Sequence, residues 1–155
     1  MRVIIVLLVI MALASPSWSQ CVVYSQLGGY LYSAYVVPPS GSSLSGFAWF
    51  SMCKQYAEFT LTLQGSETVT AVHVHGPAFE GEVAPIIRDL PVPAGELLIA
   101  DLGPWTDHAW DVLGKSETYV DVHTVEFPEG AIRGQLKPRI AVESSPWSAV
   151  KQLFK

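Results

Sequence analysis

The sequence predicts an all-β domain, an antiparallel β-sandwich or flattened Greek-key barrel with one short helix. Three observations lead there. Short segments rich in aromatic and β-branched residues recur along the chain, and clusters of Gly, Pro and Ser separate them. No long helical period lies between them, as parallel β-α-β units would require.

Ahead of the first segment, Arg2 precedes an apolar run from Val3 to Ala14, followed by the small residues of Ser15-Pro16-Ser17-Trp18-Ser19. This is the pattern of a secretion signal, with cleavage expected after Ser19, so residues 1–19 read as a signal peptide. The run is short for a membrane span and no second one follows. The expected location is secreted, extracellular or periplasmic, with no membrane span once the signal is removed.

The domain then occupies residues 20–137. Leu27 to Val37 reads as extended chain, with Tyr30 and Tyr32 on one side and Leu31 and Tyr35 on the other. Pro38-Pro39-Ser40-Gly41-Ser42-Ser43 breaks it, since proline donates nothing to a ladder. Leu44 to Met52 and Tyr56 to Leu63 are strands by composition, and Gln64-Gly65-Ser66-Glu67 turns the chain into Thr68 to His75. A loop from Gly76 to Glu82 leads to a short strand, Val83 to Leu90, and Pro91-Val92-Pro93-Ala94-Gly95 separates that from Glu96 to Asp101. Thr106 to Leu113 is the helix: Thr106 or Asp107 caps it, Ala109, Trp110 and Leu113 share a face, and Gly114 suits a left-handed exit. Tyr119 to Thr124 and Ala131 to Lys137 are the last strands. Residues 138–155 form a tail in which Ser145 and Pro146 open a short helical pattern carrying Trp147, Val150 and Phe154.

Net charge is −5 and no basic cluster is present, which argues against nucleic acid as a partner. There is no asparagine, so N-linked glycosylation is excluded. Cys21 and Cys53 are the only cysteines, and in an oxidising compartment they are expected to pair, closing a loop worth roughly 3–4 kcal/mol. No serine has a nucleophile-elbow setting and no Gly-rich phosphate loop precedes a helix. No residue is therefore assigned a catalytic role.

Chemistry concentrates in two histidine-bearing segments. In Val72-His73-Val74-His75, period-two alternation puts both histidines on one face and both valines on the other. In Tyr119-Val120-Asp121-Val122-His123-Thr124 the same alternation joins Tyr119, Asp121 and His123 opposite Val120 and Val122. If these strands are neighbours with their valines in the core, His73, His75 and His123 share one side of a sheet. Three imidazoles, with a water or Asp121, suit copper or zinc. The alternative is structural, with the rings donating to carbonyls or carboxylates and holding the turns near Gly76-Pro77 and Thr124. His108 sits in the helix and is expected to face solvent. Arg133, on the last strand with Gln135, is either a salt-bridge partner of Asp121 or Glu129 or an anion-attracting group beside the metal.

At these residues the chain resembles the CHRD (chordin) domain family. The matching elements are Ala71-Val72-His73-Val74-His75-Gly76-Pro77-Ala78, Tyr119 to Thr124, and Phe127-Pro128-Glu129-Gly130-Ala131-Ile132-Arg133-Gly134-Gln135-Leu136, with an earlier Val36-Val37-Pro38-Pro39. Val36 and Ala131 replace family glutamates, and Asp121 stands where asparagine is typical. The resemblance implies an extracellular binding or structural module, with an extracellular protein or matrix component as partner. A fainter likeness to copper/zinc superoxide dismutase implies the alternative, a copper-dependent redox enzyme.

Overall fold

A computed structural model describes residues 25–53 and 56–138. The expected signal peptide, Cys21 and the tail beyond Pro138 lie outside the described residues. Nine strands and one helix follow in order: β1 Ser25–Tyr32, β2 Ser45–Cys53, β3 Tyr56–Gln64, β4 Val69–His75, β5 Ile86–Leu90, β6 Leu97–Leu102, α1 Asp107–Gly114, β7 Tyr119–Thr124, β8 Ile132–Gln135 and β9 Lys137–Pro138. They form one antiparallel sheet in the order β5-β4-β7-β8-β1-β2-β3-β6, with β9 beside β1. The all-β expectation with one short helix holds.

Alternation decides which face is the core. Leu27 and Leu31 of β1, Ala48, Phe50 and Met52 of β2, and Ala57, Phe59 and Leu61 of β3 are buried. They join Val72 and Val74 of β4, Val120 and Val122 of β7, and Ile132 of β8 in one apolar cluster. Curling the sheet brings these inward faces together and removes them from water, the main stabilising term. Helix α1 closes one end, with Ala109 and Leu113 packed into the same cluster.

Several elements depart from the sequence reading at their ends. β1 stops at Tyr32, and Ser33–Tyr35 form a turn of 3-10 helix. That turn breaks the alternation, so Tyr35 lies exposed beside Tyr32, their ring centroids 5.6 Å apart, instead of sharing the buried side of Leu31. β5 begins only at Ile86, because the preceding residues run over the sheet as a loop. On α1, the Thr106 hydroxyl accepts from the Ala109 amide as expected. Its exit differs: Gly114 is helical and Ser116 takes the positive φ of 63°.

Glu67 fastens two loops to β7. Its carboxylate accepts from the hydroxyls of Ser42 (2.7 Å), Ser43 (3.2 Å) and Thr124 (3.1 Å), and from the Ser43 amide (3.0 Å). Burial pushes its carboxyl up, but these hydrogen bonds outweigh it and hold the pKa below the ordinary value. A depressed acid stabilises the fold above its unfolded pKa, and that stabilisation is lost as pH falls through the folded value. Glu67→Ala should therefore cost about 1–3 kcal/mol at pH 7, and the difference from wild type should shrink on acidification. Urea unfolding at the two pH values measures it; an equal cost at both would contradict the role of the charge.

Candidate metal centre

Strands β4 and β7 are neighbours, with His73 opposite Asp121, His75 opposite Tyr119 and Ala71 opposite His123. Since their valines are in the core, the three histidines project together from the other face, as the alternation predicts. One nitrogen from each of His73, His75 and His123 lies within 4.8 Å of the others. Among the described residues this is the only such cluster of three. His108 is exposed on α1 and takes no part.

The outer nitrogens fix how the rings point. Nδ1 of His75 lies 2.8 Å from the Ala84 carbonyl, and Nδ1 of His123 lies 2.8 Å from the Pro128 carbonyl. A carbonyl only accepts, so each Nδ1 carries the proton and each neutral ring keeps its lone pair on Nε2. Nε2 of His75 is buried with no hydrogen-bond partner. Nε2 of His123 is 3.1 Å from Nδ1 of His73, whose own Nε2 is 3.6 Å from the Asp89 carboxylate. His73 therefore donates from Nδ1 to His123. Moving that proton to the Asp89 side would leave a third lone pair facing inward.

Burial first, and then the neighbouring His123, pushes His73 below its ordinary pKa, while Asp89 opposes them. Burial likewise pushes His75 down, against the hydrogen bond to Ala84. Both are neutral near pH 7, the form that ligates. Two nitrogens on one ion at 2.0–2.1 Å in tetrahedral geometry stand about 3.4 Å apart. The His73–His123 pair, at 3.1 Å, is already near that spacing, and a separation at the 4.8 Å limit of the cluster must close by about 1.4 Å. His73 stands between the other two rings, 5.7 Å from His75 and 4.8 Å from His123 by centroid, and has the weakest outer tether. The donor set therefore fits a borderline divalent ion or copper.

Asp121 lies at the margin. One carboxylate oxygen is 3.9 Å from Nε2 of His123, and the other, Oδ1, is buried without a partner. Burial raises its pKa to about 6, against the pull of His123 and Arg133. A raised acid penalises the fold progressively from its unfolded pKa of 3.8 upward, and fully above about 6. Asp121→Asn should thus stabilise the chelated protein at pH 7 by on the order of 1–3 kcal/mol and leave it unchanged near pH 3. A variant no more stable than wild type at pH 7 would show that the carboxylate is compensated.

Arg133 does not behave as the salt-bridge reading expects. Among the described residues it forms no ion pair with Asp121 or Glu129; it donates from Nη2 to the carbonyls of Glu82 (2.6 Å) and Phe79 (3.4 Å). Its guanidinium lies 3.4 Å from the centre of the Tyr119 ring, and Tyr119 stacks on His75 at 4.7 Å. The reason is the loop between β4 and β5, which folds over this face, packs Ala78 and Ala84 on Tyr119 and offers its carbonyls to Arg133. Sequence alternation gives the face but not its cover, so the tethers at Ala84, Pro128 and Asp89 are not foreseen; the Gly76-Pro77 and Phe127-Pro128 turns are the signal for two of them.

A family model described as the CHRD domain matches residues 30–136 of this chain. No curated protein and no solved structure matches it.

Proposed function

The chain belongs to the CHRD domain family, whose members are extracellular modules, and we propose that it serves as a binding module built around a copper or zinc ion. His73, His75 and His123 are the proposed ligands, with Asp121 or a water completing the set. One observation carries this reading: three imidazoles turn one nitrogen each toward a shared space while carbonyls or a carboxylate occupy the others. Such outer tethers orient metal-ligating histidines and raise their basicity. They are compatible with the structural alternative too, because an imidazole has two nitrogens and can hold a turn with one while offering the other. Bound metal would supply a fixed positive centre beneath the loop between β4 and β5.

The reading includes secretion, with cleavage after Ser19 and a Cys21–Cys53 disulfide. In support, Cys53 is buried at the end of β2. Intact-mass analysis of exported protein should give the chain beginning at Gln20 and lighter by two hydrogens than its reduced form. A retained leader or two alkylatable thiols would contradict it. Superoxide turnover by copper-loaded protein, lost in His73→Ala, would move the reading from binding module to redox enzyme.

A further inference from the structure

The histidine face continues onto β8, and there it borders a cavity of about 360 Å³. The segment around Tyr35–Val37 and Pro39 forms one wall, Glu80–Gly81 another, and Arg133 with Gln135 lines the sheet side. We propose that this cavity binds a small organic acid, held by its carboxylate on Arg133. Arg133 is 4 % exposed, and only its Nη2 has hydrogen-bond partners among the described residues. The carboxylates around it are directed elsewhere. Glu80 pairs with Lys137 at 2.7 Å, and Asp121 lies against Gly130 and His123.

Asp121 and Glu80 act on the guanidinium only through space, and a buried guanidinium with no carboxylate in contact is costly, so a ligand carboxylate is the group its N–H donors suit. Gln135 gives a second point of recognition. Its amide nitrogen donates to the carbonyls of Ala78 (2.8 Å) and Ser116 (3.2 Å), while its Oε1 is buried with no partner. That oxygen suits an O–H or N–H on the ligand. Ala34, Val36, Val37 and Pro39 make the remaining surface apolar, which fits a hydrocarbon body better than a bare inorganic anion. The volume lies within the usual range for small-molecule sites.

This inference does not rest on the metal reading, so calorimetric titrations of the full chain are made both chelated and zinc-loaded. Benzoate and mandelate should bind in both states, and benzamide and inorganic phosphate at least about tenfold more weakly. Arg133→Lys should weaken benzoate by a similar factor. Because Arg133 also holds the Phe79–Glu82 loop, Val37→Trp at the half-exposed rim is the independent test, and it should block binding without touching the guanidinium. An acetylated peptide with a free C-terminal carboxylate, against its amide, separates the two sources of this chemistry. If the peptide binds and the small acids do not, the ligand is a protein C-terminus. Benzamide binding as well as benzoate, unchanged affinity in Val37→Trp, or no binding by any carboxylate overturns the proposal.

Discussion

Zinc affinity should fall by at least about a hundredfold in His75→Ala, with the fold retained. His75 contributes an inward Nε2 that has no protein partner, and its Nδ1 is already committed to Ala84. Removing the ring therefore deletes a ligand that nothing nearby replaces, since among the described residues the cluster holds no fourth member. The structural cost is smaller: one hydrogen bond to a loop carbonyl and the stacking on Tyr119, which Arg133 still covers. Asp89→Asn, which touches only the outer nitrogen of His73, should weaken binding by about tenfold. Competition against a chromogenic chelator measures both, with the solvent-facing His108→Ala as the unaffected reference. Wild-type affinity in His75→Ala would mean that any metal binds elsewhere.

The second large effect is expected at Gly134, where the two halves of the sheet meet. β8 and β1 run so close that a Cβ on Gly134 would press into the Tyr30 carbonyl, 2.9 Å from its carbon. The opposing Gly29 faces the Gln135 carbonyl in the same way. Both contacts are with backbone, which cannot rotate aside. Gly134→Ala must therefore part β8 from β1, the seam joining the β5-β4-β7-β8 half to the β1-β2-β3-β6 half. The expected cost is more than about 3 kcal/mol, and metal binding should be lost with the fold. Gly114→Ala is the contrast: nothing stands within 4 Å of its added methyl on the helix, so stability should hold or rise. Denaturant unfolding of the two variants compares them, and equal stabilities would contradict the seam.

The sequence made the strands and the histidine face legible for one physical reason. Side chains alternate along a strand, so Val72, Val74, Val120 and Val122 declare the core face, and His73, His75 and His123 must then share the other. Pairing of β4 with β7 turned that conditional statement into a cluster. What stayed illegible depends on loops. The chain from Gly76 to Pro85 crosses the polar face, and that covering buries Tyr119 and draws Arg133 to carbonyls instead of a carboxylate. Tyr35 lies off the side that alternation predicts because one turn of 3-10 helix resets the pattern, and no composition signal marks it. The glycine of the Ile132-Arg133-Gly134-Gln135 segment has a similar history. Gly134 reads as an ordinary strand residue until the backbone of β1 is placed against it.

Metal content tests the central claim most directly, on protein exported and purified without any nickel step. The expected result is one equivalent of copper or zinc per chain in wild type and none in His123→Ala, with both proteins folded. Folded wild-type protein that carries no metal, and takes up neither ion on titration, would contradict it.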